Sequence, residues 1–305
     1  MRAQAAGLRI VLVLCGAQAC TAFNECQETA GSVVGYTAVD LELRASLVRY
    51  QEAPIGNLVA DSFYDTARDN CGGGVECPDI AVENAGAIRS FAETGCSQKD
   101  VIGAGPIQDT DVRSILPFAT NHNVQVALTA RDLRVMLEHA VDRLGEAATT
   151  DVNGWFLQVS HLRFTVDCDG QRQLVDATGT QVLQVGSRVV LAEVRRDTAG
   201  GPVWEAVDFN DTTRVYQVVT NSFIGAARDG HLAFAQRDAE NRVLLDGNGD
   251  TRLNPRRVLT DSGVPYNDAH AVERFVRVRS QLGEEVAPLV EGRITLLRSC
   301  FRRAM

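Results

Sequence analysis

The chain has 305 residues, 45% of them hydrophobic, with 39 acidic against 30 basic side chains and a net charge of −9. That length and apolar content suit one large globular domain or two small ones. A pI near 5.1 and the lack of a basic stripe exclude nucleic acid polymer as a partner, although two arginines in a closed cleft can still dominate the local field and hold a small anion.

Residues 1–22 have the form of a secretory signal peptide. Arg2 and Arg9 open it, residues 10–15 form the apolar run, and Ala17-Gln18-Ala19 is a cleavage pattern, with Cys20-Thr21-Ala22 a poorer second one. The run is too short to span a bilayer. A buried N-terminal strand is the plainer alternative. Lipidation of Cys20 is disfavoured because no Leu-led box precedes it. No other stretch approaches transmembrane length, so the expected product is exported, periplasmic or extracellular.

Six of the eight cysteines follow the signal: Cys26, Cys71, Cys77, Cys96, Cys168 and Cys300. In an exported chain an even number suggests three disulfides. Cys71 and Cys77 can close a small loop, and Cys26 and Cys300 can tie the two ends, though fifteen pairings are open. No CxxC pair supports zinc.

Val33 to Val48 alternates as strands do. Ile55, Leu58, Val59, Phe63 and Thr66 fall at helical spacing behind Pro54, a helix with Asn57 and Asp61 on or near its polar side. Ile80 to Glu83 reads as a short strand ending at Asn84-Ala85-Gly86. Ile115-Leu116-Pro117-Phe118 closes an apolar stretch at a turn, and Val124 to Leu128 is a strand. Thr129 to Asp132 is a capping-box start for a stripe of Leu133, Met136, Leu137, Ala140, Val141 and Leu144, stopped by Gly145. That stripe is core. Trp155 to Val166, Arg188 to Val194 and Val215 to Thr220 read as strands. Val272, Phe275, Val276 and Leu282 lie on a late helix, and Ile294 to Leu297 is a last strand. Without a regular βαβ repeat, the fold class is α+β, a mixed sheet with packed helices.

Five motifs carry chemistry: Arg49-Tyr50-Gln51-Glu52 running into Ile55-Gly56-Asn57-Leu58-Val59-Ala60-Asp61, Asn84-Ala85-Gly86-Ala87-Ile88-Arg89, Ile115-Leu116-Pro117-Phe118, Thr220-Asn221-Ser222-Phe223, and Asp229-Gly230. Arginine forks pair with phosphate oxygens, aromatic faces stack on bases, and a carboxylate accepts hydrogen bonds from ribose hydroxyls. Singly, each has a bland alternative: a turn-stabilising Asn84, a surface Arg89, an exposed strand Arg49, and two core phenylalanines.

In this order the motifs resemble the C-terminal, substrate-binding domain of the 5′-nucleotidase family, over roughly residues 33–298. The resemblance implies that Arg49 and Arg89 hold phosphate, Phe118 and Phe223 sandwich the base, Asp229 takes the ribose, and Asn84, with Asn121, reads the base edge. Asn57 and Asp61 take a structural role, fixing the pocket's loops. Three departures stand out. Ala227-Arg228-Asp229-Gly230 replaces the family's Gly-Gly-Asp-Gly, the segment after Phe118 is one residue longer so that Asn121 takes the usual Asn's part, and His161 stands where Gly is usual.

The expected organisation is a signal at 1–22 and one domain at 23–305, with its core at 33–298 and an insertion near 235–257. Asp246, Asn248 and Asp250 have the spacing of a calcium loop with Asn254 at position nine, but Arg257 stands where that loop needs a bidentate acid, so a polar turn is the plainer reading. Family catalysis uses two metals held by a preceding domain. Here Asp268-Ala269-His270 has the Asp-x-His form but lies near the C-terminus without companion blocks, the five histidines are scattered, and no Gly-x-Ser-x-Gly, P-loop or Rossmann fingerprint occurs. No catalytic residue is therefore expected in this chain, nor a cofactor of its own. A divalent dimetal centre would come from a separate metallophosphoesterase partner. The expectation is a nucleotide-binding domain, with two alternatives: the binding half of a split nucleotide hydrolase, or an interaction module with a decayed pocket.

Overall fold

The computed structural model describes residues 31–91, 100–145 and 153–301. The signal segment, Cys26 and Cys96 lie outside the described residues.

Two mixed sheets organise the chain. The larger takes β2 (Ile80–Asn84), β4 (Asn123–Thr129), β5 (Leu157–Ser160), β9 (Val215–Asn221) and β10 (Arg256–Val258) in the order β10-β4-β9-β2-β5. Only β9 and β2 run parallel. β2 is buried along its whole length, as a central strand covered on both faces must be. The second sheet orders β8 (Gly201–Ala206), β7 (Val189–Thr198), β6 (Leu162–Val166) and β11 (Ile294–Leu296), with β6 and β11 parallel. The chain passes from β5 to β6 through His161 alone, at φ 57°. That left-handed turn suits glycine better. Here the imidazole stacks on Tyr64 at 3.5 Å, the two rings nearly parallel.

Helix α1 (Pro54–Asp69) packs on β2, β5 and α4 (Asp268–Gln281). Ile55, Val59, Phe63 and Ala67 on α1 join Ile80, Val82, Val159 and Val272 in one core. α2 (Asp109–Ile115) and α3 (Ala130–Ala140) complete the helical layer. Thr129 caps α3 as expected: its hydroxyl accepts from Asp132 N at 3.1 Å. β1 (Val33–Thr37) pairs with β3 (Gly105–Gln108) beside them.

Several boundaries differ from the sequence reading. Ala45–Val48 forms a helical turn rather than strand, with Leu47 N and Val48 N donating to Arg44 O. The buried Val141 and Leu144 follow α3 in turns, ended by Gly145 at φ 78°. Leu282 lies past α4 and is exposed, because Gly283 turns the chain at φ 76°. Asn57 is fully buried rather than on a polar face.

Cys71 and Cys77 are joined, and Cys300 pairs with Cys168 rather than Cys26. The reason is register: Cys168 follows β6 and Cys300 follows β11, which run side by side, leaving the Cα atoms 4.9 Å apart. The 235–257 segment folds back on itself, Gln236 N donating to Arg252 O, before β10 adds to the sheet edge. Among the described residues no helix is long and apolar enough to cross a membrane.

Candidate functional site

Parallel β2 and β9 end side by side, and both chains leave the sheet there in tight turns. From β2 come Asn84, a turn over Ala85–Ala87, and Arg89, whose backbone N–H donates to Ile115 O at 2.8 Å. Gly86 N donates to Gly154 O at 2.7 Å. A Cβ on Gly86 would meet that same oxygen at 2.9 Å, so the two backbones touch where only glycine fits.

From β9 comes Asn221, whose Oδ1 accepts from Phe223 N and Ile224 N at 2.9 and 3.0 Å and so shapes the turn that presents Phe223. Pro117, just past the end of α2, presents Phe118. The two aromatic turns are tied together: Ser222 Oγ accepts from His122 N at 3.0 Å. Phe118 and Phe223 are 38% and 40% exposed, whereas Phe63, Phe156, Phe164 and Phe234 are 0–1% exposed. The two rings are therefore not core residues. The Arg89 guanidinium lies 5.3 Å from the Phe118 ring centre, within cation–π range.

Arg49 reaches the same place from the turn after Ala45–Val48. Gln158 on β5 holds that turn, with Nε2 donating to Val48 O and Gln51 O at 2.7 and 2.8 Å and Oε1 accepting from Ala53 N at 3.1 Å. Asp229 closes the site. It sits at φ 54°, after Ala227 at φ 57°, conformations that cost a non-glycine residue roughly 1–2 kcal/mol each. The altered Gly-Gly-Asp-Gly motif thus keeps its left-handed path without two of its glycines. His139 Nε2 holds it, donating to Asp229 O at 2.7 Å, and His139 meets His231 edge to face at 4.8 Å. Burial pushes both imidazoles below their ordinary pKa, and the charge of His139 lowers His231 further.

Arg49, Asn84, Arg89, Phe118, Asn121, Phe223 and Asp229 all line one cleft of about 260 Å³, with Gly86, Ala87 and Gly154. The seven side chains come from five separate stretches of sequence. Behind them lies a buried polar layer. Asn221 Nδ2 donates to Glu83 Oε2 and Asn84 Oδ1, and Asn123 Nδ2 donates to Asp268 Oδ1. The sequence reading gave Glu83, Asp268 and His139 no role at the cleft, and gave Asn221 only a place in the motif before Phe223. The one signal was a glutamate inside the apolar run Ile80-Ala81-Val82-Glu83.

A family model described as "5′-nucleotidase, C-terminal domain" matches residues 33–236. The chain belongs to that family. Trifunctional nucleotide phosphoesterase protein YfkN of Bacillus subtilis is 27% identical over 272 residues, 89% of this chain and 14% of that protein. The snake venom 5′-nucleotidase of Macrovipera lebetinus is 24% identical over 87% of this chain and 52% of its own length. Among solved structures, the 5′-nucleotidase precursor of Thermus thermophilus superposes with a TM-score of 0.60 at 28% identity, covering 88% of this chain and 40% of that one. The NAD nucleotidase of Haemophilus influenzae shares the fold at 0.56 and 17% identity, covering 88% of this chain and 38% of that one. The chain spans less than two thirds of each relative.

In this family member the helix motif lies away from the cleft. Asn57 Nδ2 donates to Glu52 Oε1 and Leu289 O at 2.7 and 2.8 Å, and Asp61 takes both arms of Arg293 at 2.7 and 2.9 Å. Asn57 thus braces the segment just after Arg49, while Asp61 fastens the chain entering β11. A larger cavity, about 370 Å³, opens at the opposite end of β5 around His161. Its lining arginines pair with carboxylates: Arg68 with Asp65, Arg163 with Glu193, Arg195 with Asp197, Arg279 with Glu284, and Arg293 with Asp61 and Glu291.

Among the described residues no three His, Cys, Asp or Glu side chains gather as metal donors. In the Asp268-Ala269-His270 stretch, Asp268 is buried and His270 exposed. Asp246 Oδ1 accepts from Asn248 N and Asp250 N at 2.8 and 3.0 Å, capping its own turn.

Proposed function

We propose that the cleft binds nucleoside 5′-phosphates and that the chain does not hydrolyse them alone. One observation carries the reading: two arginines, two solvent-exposed phenyl rings and a carboxylate, distant in sequence, line a single cleft. The arginines supply bidentate donors for phosphate, the rings supply stacking faces for a base, and Asp229 supplies acceptors for ribose hydroxyls. Hydrolysis then needs metal-bound water from a metallophosphoesterase unit that would dock over the phosphate end. Support comes from the match to a C-terminal domain within longer nucleotidase and phosphoesterase relatives. Export fits the two disulfides among the described residues and a relative from venom.

Calorimetric titration with AMP and adenosine tests this. AMP binds more tightly than adenosine, and Arg89→Ala removes the difference, a change of about 10–100-fold for a lost charged hydrogen bond. Silence with AMP and every other nucleotide tried overturns the binding. Phosphate release by the purified chain with added divalent metal, abolished by Arg89→Ala, overturns the lack of hydrolysis.

A further inference from the structure

Two carboxylic acids lie behind the cleft without touching it. Glu83 on β2 and Asp268 at the start of α4 are 0% and 2% exposed. Asn221 donates to Glu83 and Asn123 donates to Asp268. Burial disfavours the ionised form of each acid. Burial, then the charge of Asp268, pushes Glu83 well above the usual carboxyl range, and burial raises Asp268 to about 7.

Glu83 grips an amide that leads into the cleft. Asn221 Nδ2 donates to Glu83 Oε2 at 2.9 Å and to Asn84 Oδ1 at 2.8 Å. Its own oxygen accepts from Phe223 N and Ile224 N. The Asn221 amide therefore cannot turn over without losing all four bonds. Its grip fixes Asn84 with the carbonyl drawn inward, so that the NH2 group lies on the cleft side, one hydrogen turned to Gly154 O at 3.5 Å and the other facing the cleft.

We propose that Glu83 is a positioning residue that, through Asn221, sets the polarity of Asn84 and turns its amide N–H side to the cleft, so that a base is selected by whether its edge offers an acceptor or a donor there. This rests on the nucleotide reading of the cleft. AMP and IMP are the probes, because a 6-amino and a 6-oxo purine carry donor and acceptor in opposite order. The wild type distinguishes them by about tenfold or more, the scale expected when a mismatched edge leaves a buried polar group unpaired.

Glu83→Gln keeps an oxygen for Asn221 and retains that ratio. Glu83→Leu removes the acceptor, frees the Asn221 amide and brings the ratio to about one. Asn84→Asp keeps the inward oxygen, replaces the outward NH2 with an acceptor and also abolishes the preference. If Glu83→Leu does not fold, Glu83→Gln and Asn84→Asp decide the question between them. A structural role for Glu83 would weaken AMP and IMP equally and leave the ratio intact. That result overturns the proposal, as does a wild type that binds both equally. A wild type silent to both removes the nucleotide reading itself, and the proposal with it.

Discussion

Phe223→Ala is the most discriminating change. Its neighbour Phe118 already lies beneath Arg89, so truncating Phe118 would disturb the phosphate anchor and the base clamp together. Phe223 has no such coupling among the observed ring contacts. If its face stacks on a base, the loss is roughly 1–3 kcal/mol, which weakens AMP about 5- to 150-fold. Folding stability should barely change. A ring 40% exposed leaves much of its area in water, whereas truncating a fully buried ring costs about 3–5 kcal/mol. Phe156→Ala, at a 0% exposed position, is the matched control. The two variants are compared by calorimetric AMP titration and by thermal melting. Opposite profiles are expected: Phe223→Ala loses affinity and keeps its melting temperature, and Phe156→Ala loses its melting temperature. AMP affinity within about twofold of wild type in Phe223→Ala, with a melting temperature lowered as in the control, would refute the clamp and make Phe223 a packing residue.

Asn57→Ala leaves the buried Glu52 carboxylate and Leu289 O short of one donor each, a loss of about 2–5 kcal/mol measurable by urea unfolding; Glu52 keeps Glu291 N and Ile294 N, so AMP affinity of the folded fraction stays unchanged. Gly86→Ala drives a Cβ to 2.9 Å from Gly154 O, lowering stability by roughly 1–3 kcal/mol and weakening AMP in the same titration, because Gly154 lines the cleft. His139 and His231 hold lowered pKa values in the fold, so on acidification the unfolded chain takes up protons first. Their contribution is complete above about pH 6.5 and is lost as pH falls below it, and His139→Gln, still able to donate to Asp229 O, flattens that limb of an unfolding profile. Asp268 acts in the opposite sense: its proton, kept to about pH 7 in the fold against 3.8 in its ordinary state, stabilises below pH 3.8, and that contribution declines as pH rises towards 7; Asp268→Asn removes this decline.

Local rules made the helix starts and most strands legible. Pro54 opens α1 and Thr129 with Asp132 caps α3 because those signals act within a few residues. Boundaries failed where a distant partner decided the matter. Ala45–Val48 alternates like a strand, yet the chain curls there because Gln158, more than a hundred residues later, takes the Val48 carbonyl. Cys300 could not be paired from spacing, since its partner is set by the parallel register of β6 and β11. The cleft's side chains were named from the order of motifs that resembles the family, since each residue taken singly kept a bland alternative. The layer behind them was not. Glu83 and Asp268 look like ordinary surface acids until tertiary packing removes their water.

The position of the cleft follows from topology rather than from any one motif. β2 and β9 are the parallel pair of the large sheet, and their carboxyl ends meet at Asn84 and Asn221. Neighbouring parallel strands deliver their exit loops to one edge, and ligand crevices form outside such carboxyl ends. Antiparallel β4 begins at that same edge with Asn123, opposite Asn221, and so brings Phe118 and Asn121 on its incoming turn. α4 begins there too, with Asp268 bonded to Asn123. β2, β9 and the turn entering β4 thus supply cleft residues from one edge of the sheet, with α4 behind them. By the same logic, variation in the 235–257 excursion or the β7–β8 hairpin need not move the cleft residues, because neither supplies one of them. The charged and aromatic groups stay in register as long as the β2–β9 pairing does, which places the control of the site's geometry in backbone hydrogen bonds and the Asn221 amide rather than in the exposed side chains themselves.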